Sequence, residues 1–585
     1  MAKKRQLLGL LIVSLLFLFT FKTINTSELD SKQSWLPTLI SPSKNIEPPA
    51  GPDDRHGLAP PSLIPLPAEY LAASLLNLSE PLSNFCRDRF GLDFLENFSR
   101  CRTGYCSEDS VSDLTCFHTP NPSLPGIKDS FCLARNGISF DIKKRKFSIK
   151  CQPRDPAPQD SGSCAVPYRN IASYGYLTGP KYILNEWVNF DKAAVSAGSG
   201  STQPASNNFV VLLKREVEGN IWHAINEIMA MMTTFDVLKI APESTSGNTG
   251  IFSPDSIPNT EIVVLDDLPD GGFFELFQMF TGSKPKRIKD WIASKNVKTI
   301  ITTIQPLDNV IIPFAGSANP LWSDWNPIDC TDNTMLRVFV QRVFDFYKIP
   351  RRREGNAGSR VQVSVIIRKG SRHLLGLDTH LSAAVKAKFG NVADLHMVDF
   401  EGMPFRDQIK VARDSDVIVG MHGAGLTHAM FMEEGRGALV EIQPDRLCHW
   451  GFRNLAKMTG QKYFVAGASR VVGNCYTMSD GLSGAGEVQI VPNDGTGVPY
   501  DTLRCYTSTT DASAWSLGCS DPNVTGGDLS FWTCKHRDTN DEWYKTCKKK
   551  EAADIWWMTR YIMEQDRFVK LVGDAIEAVH LTRSS

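Results

Sequence analysis

The 585-residue chain has no surplus charge of either sign. Its 63 Lys plus Arg stand against 64 Asp plus Glu, a formal charge of −1, so it lacks the electrostatic footprint of a dedicated nucleic-acid binder. It also lacks the composition of a disordered chain, with 42% hydrophobic and 22% charged residues. Cysteine is missing from the first 85 residues, and only Cys330 lies between Cys164 and Cys448. None of the cysteine clusters has the paired short spacings of a zinc site, which leaves disulfides as the reading of the 14 cysteines in an oxidising compartment. Long apolar runs are absent beyond one near the N-terminus. At roughly 100–200 residues per domain, the chain has room for about three or four units.

That one run decides the compartment. Lys3, Lys4 and Arg5 precede an uncharged apolar stretch, Leu7 to Phe21, and Lys22 follows. Fifteen helical residues reach roughly 22 Å, short of a bilayer core of about 30 Å, but a snorkelling Lys22 and Ile24 extend the span. Phe19-Thr20-Phe21-Lys22-Thr23 makes a poor cleavage site, so a signal anchor is expected rather than a cleaved signal. The basic flank stays in the cytoplasm, which predicts a single-pass type II protein of the Golgi membrane, with the ER as the other location. Sequons at Asn25, Asn77, Asn97 and Asn523 agree with a lumenal head.

Composition then divides the chain: a cytoplasmic tail at 1–6, the anchor at 7–24, a stem at 25–85, and a Cys-rich module at 86–169 in which Ile138 to Cys151 reads as a hairpin. A first Rossmann-like domain follows at 170–350, a second at 351–480, and a Cys-containing accessory region at 481–585. The two middle units rest on alternating helices and strands. Strands are predicted at Phe209–Leu213, Glu261–Leu265, Thr299–Ile304, Val361–Arg368, Ala393–Val398, Asp416–Gly420 and Ala438–Ile442. Amphipathic helices are predicted at Trp222–Val237, Met335–Tyr347 and Phe405–Arg413, with another at Asp554–Ile576. In such folds ligands bind at strand carboxyl ends, and two facing units make a cleft.

The sharpest motif ends one of these strands. Asp416-Val417-Ile418-Val419-Gly420 runs into Met421-His422-Gly423-Ala424-Gly425-Leu426-Thr427-His428 and a helical segment. The glycines let the backbone approach a ligand, and the helix start presents unpaired amides to an anion. The glycine spacing is not that of a dinucleotide fingerprint, and no Gly-Lys-Ser/Thr follows to make a P-loop.

The block Asp414 to His428 resembles the signature of glycosyltransferase family 61, with Val440-Glu441-Ile442-Gln443-Pro444 where that family has its next strand and acidic residue. Asn319-Pro320-Leu321-Trp322-Ser323-Asp324-Trp325 is similar to the branch that attaches O-linked N-acetylglucosamine to EGF domains. The resemblance covers about residues 170 to 480. It implies an α/β, GT-B-like architecture of two facing Rossmann-like domains, an inverting mechanism, and a UDP-sugar donor held mainly by the second domain. The sugar would be GlcNAc or xylose, and the acceptor a hydroxyl of a glycoprotein or glycan.

Inversion needs a base for the acceptor hydroxyl and stabilisation of the departing UDP. Donor-binding candidates are Arg368, His422, Gly423, Ala424, Gly425, Leu426, Thr427 and Glu441, with Arg368 as the phosphate fork and Glu441 on a ribose or uracil edge. His223 and Glu227, spaced i, i+4 on the Trp222 helix, are the base candidates. Asp414-Ser415-Asp416 enters a strand rather than leaving one, so it is read as a solvated turn and no metal ligand is named. No cofactor is required, although a divalent cation could assist through the diphosphate. Cys448 with Cys475, and Trp450, are read as structural. A catalytically inactive lumenal glycan binder on the same fold is the alternative function.

Overall fold

A computed structural model describes residues 64–74, 83–121, 127–156, 164–192 except 175, 206–243, 249–295, 303–322, 327–350, 360–472 except 370, 445, 446 and 448, the pairs 489–490 and 507–508, and 561–584. Contacts divide the chain into Met1–His56 and Gly57–Ser585, and every described residue lies in the second unit. The expected anchor, most of the stem, and Cys448, Cys475, Cys505, Cys519, Cys534 and Cys547 lie outside the described residues. Among those described, no helix is long and apolar enough to cross a membrane.

The first sheet has nine strands: β1 (Arg102–Gly104), β2 (Asp113–Pro120), β3 (Lys128–Asp141), β4 (Lys146–Ile149), β5 (Val188–Phe190), β6 (Phe209–Leu213), β7 (Thr260–Val264), β8 (Lys286–Arg287) and β9 (Thr303–Ile312). Its main path runs β1-β2-β3-β9-β6-β7-β8. Strands β9, β6, β7 and β8 are parallel neighbours, and all five residues of β6 are buried, as a parallel strand covered on both faces requires. The Cys-rich module does not stand apart as expected. Its long strand β3 pairs antiparallel with β9, so the module extends the first α/β sheet. Three disulfides, Cys101–Cys164, Cys106–Cys151 and Cys116–Cys132, brace that extension, and Cys86–Cys330 joins the start of the module to the far end of the unit.

The second sheet is built on β10 (Val361–Ile366), β11 (Ala393–Val398), β12 (Val417–Met421), β13 (Ala438–Pro444) and β14 (Lys462–Val472), in the order β11-β10-β12-β13-β14, all parallel. This is a doubly wound order that reverses between β10 and β12, the place where such sheets bind ligands. In the first sheet the reversal falls between β6 and β9. The short strands β15 (Gln489–Ile490), β16 (Thr507–Ser508) and β17 (Tyr561–Ile562) pair antiparallel with β14.

One continuous hydrophobic core joins the two sheets. It takes Phe209, Val211 and Ile311 from the first, Ile366, Ile418, Leu439 and Val465 from the second, and the helices Ile221–Ile240, Thr334–Tyr347, Phe405–Asp414 and Gly451–Met458 between them. The Ile221–Ile240 helix is not amphipathic as its pattern suggested: every residue except His223 and Lys239 is buried. Its polar residues Asn226, Glu227, Thr233, Thr234 and Asp236 are buried along with the apolar ones, so the helix runs through the interior, where each of them has a hydrogen-bond partner. Asn220 caps its start by accepting from the Trp222 amide at 3.0 Å.

Three further expectations shift. Ala68–Ser74 is a helix whose Tyr70 is fully buried and donates to Asp236 at 2.7 Å, so these residues belong to the head and not to the stem. Of the strand expected at Thr299–Ile304, residues 299–302 lie outside the described residues, and the described strand runs from Thr303 on to Ile312. The helix expected from Asp554 begins at Gln565, because Tyr561–Ile562 pairs with β14. That helix, Gln565–Ser584, covers the outer face of the second sheet through Phe568, Leu571, Val572 and Ile576.

Candidate active site

At the first sheet's switch point the carboxyl ends of β6 and β9 bring two acids and a histidine together. Just beyond β6, Arg215 is locked by Asp266 at 2.7 Å and by the carbonyls of Leu268, Pro269 and Asp270. This fixes Glu216, the next residue, toward the helix Ile221–Ile240. One Glu216 oxygen accepts from the Ser317 amide at 3.1 Å, on the turn that follows β9, and the other meets His223 Nδ1 at 3.1 Å. With Nδ1 on a carboxylate, His223 presents Nε2, which has no hydrogen-bond partner among the described residues. The ring is held edge-on between Tyr176 (5.1 Å) and Trp322 (4.5 Å).

Glu227, the other base candidate, does not reach the surface. It is buried and accepts a short bond from the Glu216 amide, and burial followed by the nearby Glu216 charge pushes its carboxyl well above the usual range. It holds Glu216 in place. Glu216 itself was not legible in the sequence, because its role depends on β6 lying beside β9.

The second switch point lies between β10 and β12. Arg368 follows β10 by two residues rather than ending it. Its side chain bonds to the Ser371 carbonyl at 2.9 Å and to the Ser371 hydroxyl at 3.1 Å, and no carboxylate lies within ion-pair distance of it among the described residues. A second guanidinium, Arg372, converges on the same place. A Cβ built on Gly423 would stand 2.5 Å from Arg368 Nη1 and 3.1 Å from Arg372 Nη2, so a side chain there would fill the space beneath both. Burial, and then the neighbouring Arg368 charge, lowers Arg372 to about 9. Arg372 is buried and Arg368 half-buried, and the two like charges repel across the space above Gly423, which suits an anion there. The adjoining 3-10 helix, Ala424–Phe431, starts at half-buried Ala424 and Gly425, whose amides have no intrahelical acceptor. Leu426 and Thr427 are fully buried and contribute packing.

His422 sits beneath this turn with Nδ1 2.5 Å from Glu441 Oε1, while Tyr463 donates to the other Glu441 oxygen. Glu441 is fully buried, so it does not face a ribose or uracil edge as expected. It lies behind His422 and orients it. Burial raises Glu441 to about 7 and lowers His422 well below its ordinary value. Asp414-Ser415-Asp416 is not the expected solvated turn either: Ser415 and Asp416 are buried, Ser415 bonds to Ser364 at 2.7 Å, and Asp416 accepts from the Gln362 amide at 2.7 Å.

The two switch points are neighbours. Trp222, beside His223, contacts Phe452 at 5.8 Å, and Phe452 contacts His422 at 5.4 Å. Trp222, the residue next to His223, thus stands two ring contacts from His422 beneath the paired-arginine turn.

Residues 221–439 match the model of the family described as Glycosyltransferase 61, a narrower span than the resemblance in the sequence. Among curated proteins the chain is similar to the EGF domain-specific O-linked N-acetylglucosamine transferase of Bos taurus, 27% identical over 57% of this chain and 59% of that protein. It is likewise similar to the proteins of that name from Drosophila melanogaster, 25% identical over 23% of this chain and 24% of the other, and from Xenopus laevis, 30% identical over 23% and 25%. The chain spans between about a quarter and three fifths of the length of these relatives.

Proposed function

From the premise that residues 221–439 ally this chain with the glycosyltransferase 61 family, we propose that it is an inverting glycosyltransferase. It would move GlcNAc or xylose from a UDP-sugar to a hydroxyl of a glycoprotein or glycan in the secretory pathway. The observation that carries the reading is the convergence of Arg368 and Arg372 over Gly423 at the β10/β12 switch point. Paired guanidiniums above open helix amides match the oxygens of a diphosphate.

In this mechanism the diphosphate lies on the turn from Gly423 to Gly425, held by Arg368 and Arg372, with His422 set beneath them by Glu441. His223 Nε2 takes the proton of the acceptor hydroxyl as its oxygen attacks the anomeric carbon from the face opposite the leaving group. The bond from that carbon to the phosphate oxygen breaks, and the arginines and amides take up the charge developing on UDP. The proton remains on His223, where the Glu216 carboxylate stabilises the imidazolium. Glu227 is assigned a positioning role through Glu216. The counter-charge comes from protein groups, so no resident metal is required, and a divalent cation would act through the diphosphate alone. The four disulfides fit an oxidising lumen, and we place the enzyme there, anchored by Leu7 to Phe21.

The test is UDP release and sugar transfer from UDP-GlcNAc and UDP-xylose by the full chain. A charge-assisted hydrogen bond is worth about 1.5–3 kcal/mol, so Arg372→Ala should raise the donor KM roughly 10- to 100-fold. His223→Ala should abolish transfer while leaving donor affinity intact. Retained glycan binding with no turnover of any UDP-sugar would sink the proposal and favour a non-catalytic binder.

A further inference from the structure

The loop that carries Arg372 is held from a remote part of the chain. Arg372 has φ 55°, a left-handed conformation that a residue with a Cβ rarely adopts and keeps only where its surroundings impose it. The neighbours on either side show what imposes it. Before Arg372, the Ser371 carbonyl accepts from Arg368 Nε at 2.9 Å, and the Arg368 carbonyl accepts from His373 Nδ1. After it, the His373 carbonyl accepts from the Tyr561 amide at 2.9 Å, and the Leu375 amide donates to the Tyr561 carbonyl at 2.8 Å. Leu374 and Tyr561 thereby form a parallel bridge.

Tyr561 is itself fixed from several directions. Its side chain is fully buried in the core on the outer face of the second sheet, with Leu374 and Leu377. Strand β17 pairs with β14 at Ser469 and Arg470. The helix Gln565–Ser584 that follows is seated closely, since a Cβ on Gly573 would stand 2.3 Å from the Phe389 ring, and Lys462 donates to the Ala578 carbonyl and the Thr582 hydroxyl near the helix end.

We infer that Tyr561 is a positioning residue for Arg372: its main chain clamps the arginine loop in the conformation that brings the Arg372 guanidinium over Gly423. The inference rests on the transferase reading above and adds to the donor site a part of the chain beyond residues 221–439, the span of the family model. With the clamp open, Arg372 relaxes to negative φ and its side chain swings away from the turn. Arg368 stays, because Ser371 holds it from within the loop. The loss is therefore that of one guanidinium and no more.

The experiment is a calorimetric titration of the full chain with UDP, with melting temperatures measured alongside. Tyr561→Pro removes the amide that donates to the His373 carbonyl, and Leu375→Pro removes the amide that donates to the Tyr561 carbonyl. Each should raise the UDP Kd about tenfold in the wild-type background and leave it unchanged in an Arg372→Ala background, because a residue that acts through Arg372 has nothing to act on once the guanidinium is gone. Val572→Ala, which only loosens the packing of the C-terminal helix, should lower the melting temperature and leave the Kd alone. Equal effects in the two backgrounds overturn the clamp, as does an unchanged Kd in the proline variants or a shift as large in Val572→Ala. Where the proline variants fail to fold, the wild type decides: by reciprocity, saturating UDP should slow hydrogen exchange at the Tyr561 and Leu375 amides about tenfold, and unchanged exchange there overturns the clamp. A wild type that binds no UDP and releases none from any UDP-sugar overturns the transferase reading, and the clamp with it.

Discussion

His422 and Glu441 divide one proton in a place water does not reach. In the unfolded chain a glutamate titrates near 4.5 and a histidine near 6.5, whereas in the fold burial lifts Glu441 to about 7 and drives His422 down. Between about pH 4.5 and 6.5 the unfolded pair carries its proton on the histidine and the folded pair carries one on the glutamate, so the pair adds little pH dependence to stability. Breaking it exposes opposite slopes. Glu441→Gln leaves a histidine that stays neutral when folded but binds a proton when unfolded, so stability falls as pH drops from 7 to 5. His422→Gln leaves a glutamate protonated when folded and ionised when unfolded, so stability falls as pH rises from 4.5 to 7, by about 3 kcal/mol at most. Melting temperatures of the two variants across pH 5 to 7.5 check this, and slopes of the same sign would refute the shared proton. His422 and Gly423 were legible in the sequence because a glycine turn after an apolar strand has a chemical meaning by itself. Arg372 was not, since it stands in a patternless loop and acquires a role only when β10 and β12 lie side by side.

Among the secondary-structure elements, the helix Ile221–Ile240 and the turn after β9 decide whether His223 is held correctly. The turn packs so tightly on the helix that a Cβ at Gly316 would lie 2.7 Å from Glu227 Cγ and 3.0 Å from its backbone nitrogen. Gly316→Ala must push the turn away, which takes the Ser317 amide off Glu216 and frees the His223 ring. The expected outcome is a kcat lowered tenfold or more with unchanged donor KM, and a stability loss of about 1–3 kcal/mol from overpacking. Gly219→Ala, where nothing lies within 4 Å of the added Cβ, should change neither. Equal effects from the two substitutions would mean that the turn does not govern the base. The parallel strands β10, β12 and β13 could be read from their apolar runs to within about two residues, because burial on both faces leaves an unbroken pattern. Thr299–Ile304 stopped short of Ile312 because the rest of β9 is fixed by its partners β3 and β6, which are remote in sequence. The helix pattern suggested a polar face that the fold satisfies internally, as where Thr233 and Thr234 bond to carbonyls four residues back.

Across the whole molecule the disulfides set the frame. Spacing left their connectivity open, and the fold answers it with three short bridges in the antiparallel extension and one long one. Cys86–Cys330 closes a separation of 244 residues, whereas Cys116–Cys132 closes 16. All four cysteines are buried, so replacing either pair with serine incurs a similar burial penalty, and the difference reports on the chain. Loop-closure entropy grows as (3/2)RT ln n, which puts the long bridge about 2 kcal/mol ahead of the short one. Cys86→Ser/Cys330→Ser should therefore unfold at lower denaturant than Cys116→Ser/Cys132→Ser by that margin. Acceptor-free UDP release at low temperature should survive in both, because neither bridge touches the arginine turn. Guanidinium titrations of the two double variants measure the margin. Equal midpoints would show that Cys86–Cys330 constrains an unfolded chain already held together by other means, and that the continuous core between the two sheets, rather than the long bridge, keeps the switch points together.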